Sequence, residues 1–179
     1  MSSEEVKIIS IVGKQNAGKT TLIKDLIPKL KKQGYRVGTL KYNIRKFDID
    51  HEGKDTYKYY HSGADSVALS SQYEIAVMKR VANLPTLHEI IDTHLNDVNV
   101  VLVEGYREDD YPRIRIIDSQ DSRTVKIDPK NELLLIKENL KSRCFSIEDI
   151  NKALNFIEKS LKITREYYID SNVFNRVRL

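Results

Sequence analysis

Gly13-Lys14-Gln15-Asn16-Ala17-Gly18-Lys19-Thr20 is the stretch that decides the fold of this chain. Its spacing fits the phosphate-binding loop pattern G-x-x-x-x-G-K-[ST]. An apolar, strand-like stretch at 6–12 runs into it, and a helical pattern from about Gly18 to Gln33 follows it. Because strand, loop and helix stand in the order that this motif requires, the sequence predicts a site for a nucleoside triphosphate with Mg²⁺.

Each residue type in this loop has a physical role toward phosphate. Gly13 and Gly18 are expected to let the backbone curl, so that successive N–H groups point at phosphate oxygens. The N-terminus of the following helix adds unpaired N–H groups and the positive end of its dipole. Lys19 is expected to neutralise phosphate, and the Thr20 hydroxyl to bind Mg²⁺. The predicted nucleotide-binding residues are Gly13, Lys14, Gln15, Asn16, Ala17, Gly18, Lys19, Thr20 and Thr21.

Strand and helix patterns alternate along the rest of the chain. This alternation predicts an α/β fold of the P-loop NTPase type, with a mostly parallel central sheet flanked by helices. Strands are predicted at 36–41, 66–70, 74–81, 98–103, 113–117 and 132–136, and further helices at 54–62, 86–95 and from 146 to about 161. The polar stretch 42–53 is predicted to be an ordered loop. One nucleotide-binding domain over 1–179 is the simplest interpretation, with the tail from about 163 unassigned.

Composition narrows the class of protein. The 179 residues are 40% hydrophobic and 31% charged, with a single cysteine, Cys144, and no apolar run of membrane-spanning length. The polar, acidic start at 1–5 is unlike a signal peptide, so a cytoplasmic protein without a membrane partner is expected. The net charge is +4, but the densest basic stretch, 29–36, ends a helix and complements its dipole. We therefore expect no nucleic-acid partner.

A second acidic position follows the most apolar strand pattern. The stretch 98–103 is nearly all apolar, as in a strand buried on both faces, and it ends in Glu104-Gly105. Phosphate-loop enzymes place an acid at such a strand end for a second Mg²⁺ contact. Glu104 is therefore the predicted Mg²⁺ ligand beside Thr20. The alternative is an ion pair of Glu104 with Lys41 or Arg107.

Acidic residues are concentrated in the segment 47–56, which contains Asp48, Asp50, Glu52 and Asp55. Unpaired carboxylates would repel a triphosphate, so they are expected to act through Mg²⁺ or to orient a water. Asp48 and Asp50, at strand spacing, are predicted catalytic residues together with Lys19. The alternative is a solvated loop in which Asp55 lies near a helix N-terminus.

These pieces occur in the order found in one known family. The loop at 13–20 leads into a helix pattern that contains Pro28. After it come Lys41, the stretches Phe47-Asp48-Ile49-Asp50 and Gly53-Lys54-Asp55-Thr56, and the strand end at 103–105. Over about residues 6–161 the chain resembles MobB, the molybdopterin-guanine dinucleotide biosynthesis adaptor family. The Asp-x-Asp and Gly-Lys-Asp stretches are more specific to that family than the phosphate loop alone.

The resemblance implies a homodimer that binds GTP, hydrolyses it weakly and assists the MobA guanylyltransferase. By similarity, Thr20 and Glu104 would hold Mg²⁺, and Asp48, Asp50 and Asp55 would shape the Mg²⁺ and water shell. Asp55 is therefore counted with Thr20 and Glu104 among the predicted metal-site residues. Direct binding of molybdopterin stays open. The family's histidine-rich stretch after the lysine is replaced here by Tyr42-Asn43-Ile44-Arg45-Lys46, which puts any role of those histidines in doubt.

Other functions stay open on the sequence alone. The chain lacks the guanine-reading motif Asn-Lys-x-Asp, so GTP is implied by the resemblance only. No catalytic glutamine or arginine finger is evident, so at most a slow GTPase is expected. The alternatives are a non-hydrolysing, nucleotide-dependent binding module and a small-molecule kinase or ligase that uses ATP. A metallochaperone GTPase for nickel enzymes is disfavoured by the missing Cys/His cluster.

Overall fold

The computed structural model describes residues 6–42, 44, 45, 47, 49–106, 111–117, 133–137 and 145–174. The chain divides into two compact units, one formed by Met1–Tyr42 with Ile90–Leu179 and the other by Asn43–Glu89. The single nucleotide-binding domain expected from the sequence stays a prediction. In chain order the elements are β1 (Lys7–Gly13), α1 (Lys19–Lys32), β2 (Val37–Lys41), α2 (Asp55–His61), β3 (Ser66–Ser70), β4 (Ile75–Lys79), α3 (Leu87–His94), β5 (Val100–Glu104), β6 (Arg113–Ile117), β7 (Leu133–Lys137) and α4 (Ile147–Phe174).

The first unit contains a five-stranded sheet in the order β2-β5-β1-β6-β7. Every neighbouring pair in it is parallel. β2 forms one edge, β5 lies between β2 and β1, and β6 and β7 follow on the other side of β1. The carboxyl ends of β1 and β5 meet at one edge of the sheet, with Ile11 level with Glu104. Such a reversal of strand order is where open α/β sheets bind their ligands. The predicted α/β fold with a mostly parallel sheet is confirmed.

Helices α1 and α4 pack on one face of this sheet. Alternate strand residues, among them Ile9, Ile11, Leu102 and Ile114, share one buried cluster with the helix residues Leu22, Leu26, Leu30, Ile150, Ala153 and Ile157. The two-residue period of a strand turns these side chains to a single face, and the helix residues recur at turn spacing. On the opposite face Gly38 lies against Leu95 and Val98, since a β-carbon there would be 3.2 to 3.4 Å from their side chains.

The second unit holds α2 and an antiparallel hairpin of β3 and β4, with Val67 opposite Met78. The strand predicted at 74–81 is present as β4, and it belongs to a separate two-stranded sheet. The helix predicted at 54–62 is present as α2 and ends before Gly63, whose φ of 105° requires glycine.

The final helix is longer than the sequence pattern indicated. Apolar spacing predicted a helix to about 161, whereas α4 continues to Phe174 and takes in much of the unassigned tail. Its start agrees with the prediction, because the Asp149 N–H donates to the Ser146 hydroxyl at 3.0 Å. Within the residues described, none of the helices combines the length and apolar character needed to span a bilayer.

Candidate functional site

The loop between β1 and α1 has the backbone of an anion-binding site. Asn16 and Gly18 have φ values of 62° and 84°, and the Ala17 N–H donates to the Lys14 carbonyl at 3.3 Å. Left-handed residues alternating with ordinary ones turn successive N–H groups to the same side. The N–H groups in the first turn of α1 follow directly after its N-cap, Gly18, and have no partner within the helix.

The two loop glycines act differently from the expectation. Both Gly13 and Gly18 were expected to supply curl, but among the described residues positive φ in this loop occurs at Asn16 and Gly18. Gly13 is needed for close packing instead, because an added β-carbon would lie 3.1 Å from the Ile116 carbonyl oxygen and 3.3 Å from the β-carbon of Ala17. Asparagine tolerates the left-handed region better than other non-glycine residues, which was the available signal for Asn16.

Lys19 is held across the loop. Its Nζ donates to the Lys14 carbonyl at 2.7 Å and to the Gly13 carbonyl at 3.3 Å. These carbonyls belong to the start of the loop whose N–H groups are turned inward. The ammonium group therefore lies beside the place where a phosphate would meet those N–H groups, and its third proton is available to a phosphate oxygen.

Thr20 and Glu104 come together at the carboxyl edge of the sheet. The Thr20 hydroxyl donates to Glu104 Oε2 at 3.2 Å, although the residues are 84 positions apart. On the neighbouring strand, Lys41 Nζ lies 3.9 Å from Glu104 Oε1. The side chain of Glu104 is 15% exposed and that of Lys41 61% exposed. Glu104 thus contacts Thr20, the other predicted Mg²⁺ ligand, and also Lys41, one of the two cations of the alternative ion pair. The other cation, Arg107, lies outside the described residues.

The strand end at Glu104 is shaped by glycine. Gly105 has φ of 90°, and its N–H donates to the Ile11 carbonyl at 3.2 Å. The Tyr42 N–H donates in turn to the Glu104 carbonyl at 3.2 Å. These bonds extend the β-ladder by one residue on each side, so the Glu104 carboxylate is positioned by three strands.

The predicted acidic residues of the segment 47–56 fall in the second unit, apart from Asp48, which lies outside the described residues. Asp50 accepts the His51 N–H at 2.8 Å. The Thr56 hydroxyl, and then the His51 N–H, hold the pKa of the Asp50 carboxyl below its usual value against the opposing effect of burial. Asp55 accepts a hydrogen bond from Lys58 at 3.2 Å at the start of α2. Asp55 therefore lies in the first turn of a helix, as in the alternative interpretation that gave it no metal role.

The donor set suits Mg²⁺ held jointly with a phosphate. No three His, Cys, Asp or Glu side chains gather into a metal-holding group in the part of the chain that the structure describes. Mg²⁺ in nucleotide sites needs no such cage, because it takes one or two protein oxygens and completes its shell with phosphate and water. The Thr20 hydroxyl and the Glu104 carboxylate, 3.2 Å apart, are oxygen ligands of that kind.

Phe145 is a residue of this region that the sequence patterns did not single out. A β-carbon added to Gly18 would lie 3.1 Å from Phe145 Cζ, so the ring edge contacts the loop. The ring is partly buried against the core of the unit. No motif contains Phe145; the available signal was its place next to the helix cap at Ser146.

Comparison with known proteins gives one consistent family. The family model described as molybdopterin guanine dinucleotide synthesis protein B, MobB, matches residues 8–138. The molybdopterin-guanine dinucleotide biosynthesis adapter protein of Haemophilus influenzae is 31% identical over 115 residues, which cover 63% of this chain and 64% of that protein. The chain therefore spans a little under two thirds of the length of this relative.

Solved structures share the fold over most of the chain. The crystal structure of a molybdopterin-guanine biosynthesis protein B is 27% identical with a TM-score of 0.63, covering 87% of this chain and 99% of that one. Bacillus subtilis MobB is 25% identical with a TM-score of 0.64, covering 86% of this chain and 97% of that one.

Proposed function

The chain belongs to the family of molybdopterin guanine dinucleotide synthesis protein B, MobB, and on that premise we propose that it is a cytoplasmic, nucleotide-binding adapter in the synthesis of the guanine dinucleotide form of the molybdenum cofactor. The observation that carries this proposal is the site at the end of β1, where Lys19 lies across the loop and Thr20 contacts Glu104. The pathway is inferred from membership of the family, and the class of ligand, a nucleotide, is inferred from the phosphate loop.

The proposed ligand is GTP with Mg²⁺. The inward-facing N–H groups of the loop and the N-terminus of α1 would hold the phosphates, and Lys19 would neutralise the β- and γ-phosphates. Thr20 and Glu104 would hold the Mg²⁺, whose charge stabilises the phosphate oxygens. Asp48, Asp50 and Asp55 are proposed to shape the Mg²⁺ and water shell, on the strength of the family likeness.

Hydrolysis of GTP by the chain alone is proposed to be slow. Phosphate-loop enzymes reach high rates with a water-positioning glutamine and an arginine finger, each worth orders of magnitude. Neither was identified in the sequence. We propose that the chain acts as a homodimer with the MobA guanylyltransferase as its partner, because the related proteins are adapters in this pathway by name.

Calorimetric titration of the purified chain with GTP, ATP and GDP, with and without Mg²⁺, tests the proposal. Tight binding of GTP that depends on Mg²⁺ is the expected result. Preference for ATP, or no preference, would leave the phosphate loop in place and favour the kinase or ligase alternative. No binding of any nucleotide would refute the proposal.

A second assay separates an active GTPase from a binding module. GTP hydrolysis is followed for the chain alone and then with the guanylyltransferase added. Stimulation by the partner is expected for an adapter that couples turnover to assembly. Unchanged hydrolysis beside tight GTP binding would favour the module in which nucleotide only holds the protein in shape.

A further inference from the structure

The phosphate loop has two different flanks because of the strand order. On one side of β1 lies β5, which ends at Glu104; on the other side lie β6 and β7. The Glu104 flank carries the Thr20–Glu104 contact. The other flank carries Ile116, whose carbonyl oxygen would lie 3.1 Å from a β-carbon added at Gly13.

Phe145 lies against the loop at Gly18. A β-carbon built on Gly18 would be 3.1 Å from Cζ and 3.2 Å from Cε2 of the ring. Phe145 immediately precedes Ser146, the cap of α4, and α4 packs on α1 and β7. The ring is thus fixed by a helix cap and by core packing, while part of its surface stays accessible.

The two flanks give a bound triphosphate a direction. A Mg²⁺ held by Thr20 and Glu104 would lie near the γ end of a triphosphate. With Thr20 and Glu104 on the β5 flank, the γ-phosphate would point there and the nucleoside would leave the loop on the opposite flank. That flank is the one bordered by β6 and β7, and α4 packs on β7.

We propose that Phe145 is the surface on which the nucleobase stacks, and that it determines affinity for nucleosides rather than choice of base. The inference rests on the proposed function, since it needs a nucleotide at the loop. Every base has a π-face, so stacking on a phenyl ring is tolerant of base identity. This agrees with the absence of the Asn-Lys-x-Asp motif from the sequence.

The test compares ligands with and without a base. Affinities of GTP, ATP and inorganic tripolyphosphate, each with Mg²⁺, are measured for the wild type and for Phe145→Ala. We expect GTP and ATP each to bind about tenfold more weakly, the typical effect of losing one stacked base, and tripolyphosphate to bind as before. Tyr73→Ala, which removes an aromatic ring that is 86% exposed in the second unit, serves as the matched control and should change none of the three.

Two results would overturn the inference. Equal weakening of tripolyphosphate would mean that Phe145 only supports the loop at Gly18. Unchanged GTP affinity would mean that no base rests on the ring. If the wild type binds tripolyphosphate and nucleotides alike, the phosphate site stands and the stacking surface fails, whereas a wild type that binds none of them removes the proposed function as well.

A substitution that keeps an aromatic ring gives an independent readout. The chain has no tryptophan, so Phe145→Trp introduces a single fluorophore at this position. GTP is expected to quench its emission, because a stacked base contacts the indole, and tripolyphosphate is expected to leave it nearly unchanged. GTP binding, confirmed by calorimetry, without quenching would overturn the proposal even if Phe145→Ala fails to fold.

Discussion

At the residue scale, the ammonium group of Lys19 contacts the backbone of the phosphate loop. It is bound to two backbone carbonyls, at 2.7 and 3.3 Å, which keep it over the loop instead of in bulk water. A cation already positioned loses little side-chain entropy when phosphate arrives. The same bonds are to exposed or half-buried backbone, so the fold does not depend on them.

Lys19→Ala is expected to abolish measurable nucleotide binding and leave the fold intact. Loss of charge-assisted hydrogen bonds to phosphate should lower GTP affinity by about a hundredfold or more. Calorimetry measures the affinity, and thermal melting checks the fold. Lys24→Ala, an exposed lysine on the same helix, is the charge-matched control. GTP affinity equal to that of the wild type would exclude the assigned site.

Glu104 is shared between two contacts, the Thr20 hydroxyl and the Lys41 ammonium group. A Mg²⁺ ligand and an ion-pair partner predict different effects of Mg²⁺ on GTP affinity when Glu104 is replaced. A Mg²⁺ ligand matters only when Mg²⁺ is present, whereas an ion-pair partner matters equally in its absence. The side chain is mostly buried, so its charge is screened less than that of a surface carboxylate.

Glu104→Gln is expected to weaken GTP binding more with Mg²⁺ than without it. The amide keeps an oxygen for the Thr20 hydroxyl but removes the charge that favours a divalent cation. Titrations in Mg²⁺ and in a chelator measure the two affinities. Lys41→Ala, which breaks only the ion pair, should leave the Mg²⁺ dependence unchanged. Equal losses for Glu104→Gln under both conditions would argue against a metal role.

At the element scale, α3 shows how a short sequence pattern determines a helix start. The Thr86 N–H and hydroxyl donate to Glu89 Oε2 at 2.7 and 2.9 Å, and the Glu89 N–H donates back to Thr86 Oγ1 at 3.2 Å. These reciprocal bonds form a capping box between Thr86 and Glu89. The Thr86 N–H, followed by its hydroxyl, lowers the pKa of the Glu89 carboxyl below its usual 4.5.

The capping box should make stability depend on pH. Because the folded pKa of Glu89 is lowered, its contribution is complete above the unfolded value of 4.5 and is lost as pH falls through the folded pKa. Glu89→Gln is therefore expected to be less stable than the wild type at neutral pH and to match it in acid. Urea unfolding at both pH values measures the difference. In a Thr86→Ala background the same substitution should have little effect, and a full effect there would contradict the pairing.

At the scale of the whole molecule, the nucleotide-binding unit depends on α1 and α4 covering one face of the sheet. Ile157 and Ala153 of α4 are fully buried in the same cluster as Leu22 and Leu26 of α1. Phe145 directly precedes the cap of α4, and its ring lies beside Gly18. Packing of α4 therefore positions residues at the loop as well as stabilising the sheet.

Ile157→Ala is expected to destabilise the chain by about 2–5 kcal/mol, the usual cost of truncating a buried isoleucine. Ile147→Ala on the same helix removes the same atoms from a residue that is 75% exposed, and should change stability by less than about 0.5 kcal/mol. Urea unfolding of both variants gives the comparison. Similar costs for the two would mean that α4 does not dock through Ile157.

Much of the fold was predictable because its patterns are local. The strand expected at 113–117 is β6 residue for residue, and the helix start at Thr86 follows from two residues three positions apart, Thr86 and Glu89. Helix length at the tail was not predictable in the same way, because α4 runs past the last clear apolar position at Leu161. Apolar periodicity locates the buried stripe of a helix and does not by itself give the residue at which the helix ends.

The sequence by itself determined the ligand class and the order of the elements, since the loop motif, the apolar periods and the helix caps each depend on neighbours a few residues apart. It also determined that Glu104 ends a buried strand. Only the tertiary structure decided which side chains meet. Parallel pairing of β1, β2 and β5 brings Thr20, Lys41 and Glu104 together, and docking of α4 brings Phe145 to Gly18. Such contacts join residues tens of positions apart, and no short-range pattern encodes the strand order or helix packing that creates them.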